Sequence, residues 1–160
     1  MDETVKRETL ETAARILEYH HRSRRALYDR LLEKGVPEEA AAYAVARLRE
    51  LGYLNDAEYG RTLMRELAAR GYGARRIRMA LREKKLEPED VEAVMAEYVP
   101  DEDRLRACVA AKLKGRIPDR KTLKRTADSL FRRGFSWEEI RSALRSYADT
   151  LETDDIDITG

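Results

Sequence analysis

The chain has 160 residues, of which 39% are charged and 42% are hydrophobic, and its 32 basic and 31 acidic residues give a net charge of +1. Charged residues exceed the roughly 25% of ordinary globular domains, which favours narrow cores over one large interior. One cysteine, and no run of about 18 apolar residues, predict a cytoplasmic protein without disulfides or a membrane span.

One stretch recurs three times, at spacings of fifty and then forty-nine residues. It reads LLEKGVPEE at Leu31–Glu39, LREKKLEPE at Leu81–Glu89 and LFRRGFSWE at Leu130–Glu138. Each copy is typical of a helix that ends, a tight turn and a helix that begins. The regular spacing therefore indicates one supersecondary unit present three times.

The first repeat, residues 1–54, is predicted to contain three helices. Gly35 stands where a helix end requires the left-handed conformation, and a GYLND turn after the third helix is expected to bury Tyr53 and Leu54. The apolar residues that mark one buried face of each helix are Leu10, Ala13, Ala14 and Leu17, then Leu27 and Leu31, then Ala41, Ala44, Val45 and Leu48.

The second repeat, residues 55–99, follows the same plan. Asn55 and Glu58 form a capping pair at its start, and Pro88 occupies a first helical position. Lys85 replaces the turn glycine, so either this turn is strained or its helix closes differently. The apolar faces are Tyr59, Leu63 and Leu67, then Ile77, Ala80 and Leu81, then Val91, Val94, Met95 and Tyr98.

The third repeat, residues 100–150, has the turn glycine at Gly134 and a capping box at Ser136 and Glu139. Its apolar faces are Leu105, Cys108, Val109 and Leu113, then Leu123, Ala127, Leu130 and Phe131, then Ile140, Ala143, Leu144 and Tyr147. Residues 151–160 are predicted to be a disordered acidic tail. The predicted fold is all-α, with three tandem three-helix repeats in an elongated, curved, solenoid-like stack.

Charge is segregated along the chain although the total is nearly neutral. Residues 70–86 contain seven basic residues and one acidic residue, and residues 112–133 contain nine basic and two acidic residues. Residues 87–104 reverse the balance, with eight acidic residues and one basic residue. If equivalent helices take equivalent places in the stack, this pattern produces charged faces that suit a partner, although ordinary solvated helices are also charged.

No pattern in the sequence predicts catalysis or a metal site. His20 and His21 are adjacent, which on a helix directs them about 100° apart, and no cysteine or carboxylate completes a ligand set. Cys108 lies on an apolar face beside Val109 and is interpreted as a core residue. The chain is therefore predicted to be a non-enzyme without a cofactor or metal.

Three segments resemble signature segments of the RecX family of bacterial recombination regulators. They are SRRALYDRLLEKG at Ser23–Gly35, LRELGYLND at Leu48–Asp56 and RGYGARRIRMALREKK at Arg70–Lys85. The resemblance extends over residues 8–148 in the family's own order. Three positions depart from the family pattern, each at a helix cap or an exposed helix position: Ala26, Ala74 and Lys85.

The resemblance implies a negative regulator of the RecA recombinase. Such a protein binds in the groove of the RecA–DNA filament and restrains ATP hydrolysis, filament extension and strand exchange, in DNA repair, homologous recombination and the SOS response. The expected partners are the RecA filament and, weakly, single- or double-stranded DNA, bound by a monomer through several patches at once.

Basic residues early in the second helix of each repeat are the candidate contacts to the filament or to DNA. They are Arg24 and Arg25, then Arg75, Arg76 and Arg78, then Lys121, Lys124 and Arg125. The competing interpretation is that some pair with acidic neighbours such as Glu50 or Glu92. Two other functions stay open, a helix-turn-helix module that binds DNA alone and a helical-repeat scaffold for an unrelated protein.

Overall fold

A computed structural model describes the backbone of residues 1–159 and the side chains of residues 1–152. Within residues 1–159 the chain forms nine helices and no strand, which confirms the all-α class. The helices are α1 (Glu3–Tyr19), α2 (Arg24–Glu33), α3 (Glu38–Glu50), α4 (Asp56–Ala69), α5 (Ala74–Glu83), α6 (Pro88–Ala96), α7 (Glu102–Leu113), α8 (Arg120–Arg132) and α9 (Trp137–Thr159). Apart from Leu151 and Glu152, the side chains of the predicted acidic tail lie outside the described residues.

Several helices begin where short polar side chains satisfy the first backbone N–H groups, although the residues that precede α3 and α6, Pro37 and Glu87, make no such bond. Ser23 accepts from the amide of Ala26 at 3.1 Å at the start of α2. At α9 the predicted capping box is confirmed, because Ser136 accepts from the Glu139 amide while the Glu139 carboxylate accepts from the Ser136 amide. These bonds fix helix starts that were readable from local sequence alone.

The repeated turn takes the left-handed conformation in all three copies. Gly35 has φ 87° and Gly134 has φ 102°, as predicted. Lys85 adopts φ 62° without being glycine, which costs about 1–2 kcal/mol. The middle turn is therefore strained, the first of the two alternatives drawn from the sequence.

Backbone contacts divide the chain into two compact units. Unit 1 comprises Met1–Arg65 and Arg78–Glu97, and unit 2 comprises Glu66–Ile77 together with the chain from Tyr98 onward. The division into repeats at 1–54, 55–99 and 100–150, and their curved stacking, stay predictions.

Each unit has its own apolar core, built from the predicted helix faces. In unit 1 the buried cluster is Ala13, Leu27, Leu31, Ala41, Ala44, Leu48 and Leu54. In unit 2 it is Leu105, Val109, Leu113, Leu130, Ile140, Ala143 and Tyr147, with Leu151 packed against it. The helices α3 and α9 thus contribute their predicted faces to these cores, and Val91, Val94 and Met95 of α6 are buried as well.

Three residues expected to be buried are exposed. Tyr53 is 72% exposed whereas Leu54 is buried, because adjacent side chains beyond a helix end point to opposite sides and only one of them reaches the core. Leu123 is 39% exposed in the first turn of α8, and Ala14 is exposed on α1. Within the described residues, no helix combines the length and apolar character that crossing a membrane requires.

Candidate nucleic-acid interface

The connection between α7 and α8 is a short loop fixed by backbone geometry and one buried tyrosine. Lys114 and Gly115 take left-handed conformations with φ 53° and 70°. The Tyr147 hydroxyl donates a hydrogen bond of 2.6 Å to the carbonyl of Arg116. Because the Tyr147 ring is part of the unit 2 core, this bond ties the loop to that core.

The first turn of α8 is capped by Asp119, whose carboxylate accepts from the Thr122 amide at 2.7 Å. Hydrogen bonds from the Thr122 side chain and backbone, with a smaller attraction to Arg125, lower the pKa of Asp119 below its ordinary 3.8. The carboxylate that interrupts this basic stretch is thus held at the positive end of the helix.

Seven exposed cations surround this loop and the first turns of α8. We call them the α8 basic surface: Lys112, Lys114, Arg116, Arg120, Lys121, Lys124 and Arg125. Among the residues whose side chains are described, none of the seven side chains forms an ion pair or a hydrogen bond. Although Asp119 lies among these residues, the excess of positive charge on this surface attracts phosphate.

Three residues of this surface were candidates from the sequence. Lys121, Lys124 and Arg125 are spaced so that they lie on one side of α8, and all three are exposed. Sequence reasoning did not select Lys112, Lys114, Arg116 and Arg120, although the run of nine basic and two acidic residues contained them. The structure therefore extends the candidate surface toward the N-terminus, into the loop between α7 and α8.

Arg24 lies instead in a partly buried ion-pair network of unit 1. Its backbone N–H donates to Asp56 at 3.0 Å, and its guanidinium contacts Asp56 and Asp90, each at 3.4 Å. The Asp56 side chain is 3% exposed. Arg24 therefore holds the starts of α2, α4 and α6 together.

Replacing Arg24 with glutamine is expected to lower the free energy of unfolding of unit 1 by about 1–2 kcal/mol, because Asp56 loses its charged partner while staying buried. Urea unfolding measures the loss. Binding to DNA should stay within twofold of the parent protein. A variant of unchanged stability that binds DNA much more weakly would contradict the structural role.

Arg25 and Arg78 also have acidic partners on the surface of unit 1. Arg25 contacts Asp29 at 3.2 Å, and Arg78 contacts Glu92 at 3.2 Å. Glu92 is the neighbour that the competing interpretation named. Exposed pairs of this kind contribute only 0–1 kcal/mol, so either arginine can exchange its partner for a phosphate.

Asp29 joins α2 to the strained turn at Lys85. The Lys85 ammonium lies 2.7 Å from the Asp29 carboxylate, and its hydrogen bond is the main reason that the pKa of Asp29 is lowered from 3.8. Arg25 lowers the pKa further, whereas desolvation opposes both. This pair holds in place the middle copy of the repeated turn, the one copy of the three in which lysine replaces the glycine.

Replacing Lys85 with methionine is expected to return the pKa of Asp29 toward 3.8, because the main hydrogen bond is lost. A lowered folded-state pKa stabilises the protein above the unfolded value of about 3.9, and this contribution is lost as the pH falls through the folded value. Carboxyl NMR titration measures the change, with Lys84→Met as the control. An unchanged pKa of Asp29 in Lys85→Met would contradict the assignment.

Arg75 and Arg76 belong to a segment of unit 2 that docks on the turn between α8 and α9. We call residues 70–76 the docking segment. The amide of Gly73 donates to the carbonyl of Arg133 at 2.8 Å, and the amide of Arg75 donates to Gly134 at 3.2 Å. The signature RGYGARR therefore makes close backbone contacts that the absence of a side chain at Gly73 permits.

The arginines of the docking segment contact aromatic rings of unit 2. The Arg75 guanidinium lies 3.8 Å from the ring centroid of Phe131 and donates a hydrogen bond to that residue's carbonyl. Arg76 is half-buried, 6.0 Å from the ring centroid of Tyr72. Both side chains thus contribute to packing within unit 2.

A groove of about 560 Å³ in unit 1 is a weaker candidate for anion binding. Two of its cations lie beside carboxylates, with Arg30 3.0 Å from Glu33 and Lys85 2.7 Å from Asp29. His20 and His21 line the same groove. Among the described residues, no group of three histidine, cysteine or carboxylate side chains has an arrangement that could hold a metal ion.

Comparison with known proteins gives matches along nearly the whole chain. Models of the first, second and third three-helix domains of RecX match residues 10–48, 55–95 and 101–144. The chain is 34% identical to the regulatory protein RecX of Stenotrophomonas maltophilia strain R551-3, over 85% of each protein. It is 35% identical to that of Vibrio cholerae serotype O1 strain M66-2, over 85% of this chain and 91% of the relative.

The fold is also similar to a solved structure. RecX from Lactobacillus salivarius superposes with a TM-score of 0.82, covering 91% of this chain and 97% of the other at 18% identity. The likeness supports the three-domain helical architecture, and the α8 basic surface lies in the third of those domains.

Proposed function

The chain belongs to the RecX family of regulatory proteins, and from that premise we propose that it is a negative regulator of a RecA recombinase. It binds in the groove of the RecA–DNA filament and restrains ATP hydrolysis, filament extension and strand exchange. The cellular setting is the cytoplasm, in DNA repair, recombination and the SOS response, and the protein acts as a monomer.

The α8 basic surface is the observation that supports this proposal most directly. Its seven exposed cations carry no ion pair among the described side chains, so their charge is available to an anionic partner. The phosphates of the DNA inside a filament are such a partner. Each phosphate that is neutralised releases counterions, which makes the contact dependent on salt.

The other predicted contacts divide into two groups by their present partners. Arg25 and Arg78 have exposed acidic partners that phosphate can replace, so they remain candidates for filament contact. Arg24, Arg75 and Arg76 contribute to packing within their own units. We therefore propose Lys121, Lys124 and Arg125 as the principal predicted contacts, supplemented by Arg116 and Arg120.

DNA-dependent ATP hydrolysis by RecA from the same organism tests the proposal. Adding the chain at less than one molecule per RecA protomer should reduce the rate, because one regulator bound in the groove affects several protomers. The inhibition should weaken as salt is raised from 50 to 200 mM. A rate that stays unchanged even at equimolar chain would exclude the proposed function.

A module that binds DNA alone is the second candidate, and the α8 basic surface favours it as well. Against it, the helices that would enter a DNA groove after each repeated turn begin with carboxylates: Glu38 and Glu39, Glu89 and Asp90, and Glu138 and Glu139. Carboxylates at that place repel the DNA backbone. Tight, sequence-selective binding to duplex DNA without RecA would favour the module over the regulator.

A further inference from the structure

Trp137, the only tryptophan of the chain, lies at the first position of α9 with 43% of its surface exposed. Its ring stacks on Phe131 of α8, with the ring centroids 4.5 Å apart and the planes inclined by 8°. The capping box of Ser136 and Glu139 fixes the backbone on either side. An exposed indole is thus held flat against a second ring.

Arg75 contacts the same phenyl ring, with its guanidinium carbon 3.8 Å from the Phe131 centroid. Each face of a phenyl ring has room for one stacked group, so Arg75 and Trp137 occupy opposite faces. The order of the stack is then Arg75, Phe131, Trp137. The backbone amide of Arg75 also donates to the carbonyl of Gly134 at 3.2 Å, and this hydrogen bond fixes the Arg75 end of the stack.

Phe131 covers one face of the Trp137 indole while 43% of the residue stays exposed, which leaves surface for a further stacked group. Two exposed cations, Lys124 and Arg141, are close in sequence to the stacked rings. Lys124 precedes Phe131 by seven residues, which places it on the same side of α8 about 10 Å away along the axis. Arg141 follows Trp137 by one helical turn and is exposed. Asp128, three residues before Phe131, and Glu138, next to Trp137, are the nearest carboxylates in the sequence.

We propose that Trp137 stacks on an unpaired base of single-stranded DNA, while Lys124 and Arg141 contact phosphates on either side of that base. Exposed aromatic rings beside cations are the usual platform for unpaired bases, and they tolerate any sequence because every base has a π face. A paired base inside a duplex has both faces covered by its neighbours. The site therefore selects single-stranded over double-stranded DNA.

This inference deepens the proposed function, since it names the form of DNA and the position of one base. A partner protein that buries Trp137 in an apolar pocket is the competing occupant, because tryptophan and arginine are also common at protein interfaces. The charge around the stack favours DNA. The exposed cations Lys124 on α8 and Arg141 on α9 complement a polyanion better than an apolar pocket.

The test uses the full chain and the intrinsic fluorescence of its single tryptophan. Oligothymidylate should quench Trp137, whereas an abasic phosphodiester strand of equal length should bind through phosphate contacts with little quenching. Binding of labelled oligothymidylate, measured by anisotropy, should weaken about 5- to 150-fold in Trp137→Ala. Trp137→Phe should recover much of the loss, and Tyr53→Ala, which removes another exposed aromatic ring, should bind normally.

Equal quenching by the abasic strand, or equal affinity of Trp137→Ala for oligothymidylate, would overturn the proposal. So would a Trp137→Ala variant that binds RecA weakly but single-stranded DNA normally, because the ring would then belong to a protein interface. The proposed function can fail separately: a chain that binds oligothymidylate through Trp137 yet never slows RecA would retain the stacking site and lose the regulatory role.

Discussion

Replacing Gly73 with alanine is expected to lower the free energy of unfolding by about 3 kcal/mol. An added Cβ would lie 2.6 Å from the carbonyl carbon of Gly134 and 2.7 Å from the amide nitrogen of Phe135. Both neighbours are backbone atoms, so no side-chain rotation relieves the overlap. The docking segment would have to leave the turn between α8 and α9.

Gly35→Ala is the matched control for this substitution. Gly35 has φ 87°, but an added Cβ meets nothing within 4 Å, so only backbone strain of about 1–2 kcal/mol is expected. Calorimetric melting of both variants measures the difference. If Gly73→Ala proved no less stable than Gly35→Ala, the close contact between the docking segment and the turn would be wrong.

Reversing Lys121, Lys124 and Arg125 to glutamate together is expected to weaken both single-stranded DNA binding and inhibition of RecA by at least tenfold. Three cations become three anions on one side of α8, so phosphate contacts are replaced by repulsion. Helical content should not change, because the three side chains are exposed and form no ion pair among the described residues. Circular dichroism and RecA ATPase assays measure the two properties.

The control reverses three cations that already have acidic partners and belong to no proposed contact, Arg47, Arg61 and Arg106, which pair with Glu50, Glu97 and Glu102. This control variant has the same change in net charge, so a general effect of charge would weaken DNA binding and inhibition of RecA equally in the two variants. Full inhibition of RecA by the Lys121, Lys124 and Arg125 variant would remove the α8 basic surface from the proposed interface.

Reversing Arg75, Arg76 and Arg78 to glutamate would test a contact with the filament less directly. Arg75 packs on Phe131 and Arg78 pairs with Glu92, so reversal alters packing as well as surface charge. Sequence reasoning ranked these arginines beside Lys121, Lys124 and Arg125, because all six stand early in a basic helix. Their intramolecular partners could not be read from spacing alone.

The stacking of Trp137 likewise could not be predicted from the spacing of residues in the sequence. In the sequence Trp137 is a single residue within the third copy of the repeated turn, and it is followed by two glutamates that begin the next helix. Its place in a stack depends on Phe131, six residues earlier, and on Arg75, which is 62 positions away. A pattern that spans two separate segments has no local signature.

The sequence by itself determined the helices, their caps and their buried faces, because these depend on interactions within about one helical turn. Gly35, Gly134, Ser136 and Glu139 behave as their local chemistry predicts. The tertiary structure alone decided which cations are already engaged and which are free. Arg24 meets Asp90 across 66 positions, whereas the cations of the α8 basic surface pair with no described side chain. Charge can be counted along a chain, but its neutralisation depends on which segments the folded chain brings within about 4 Å.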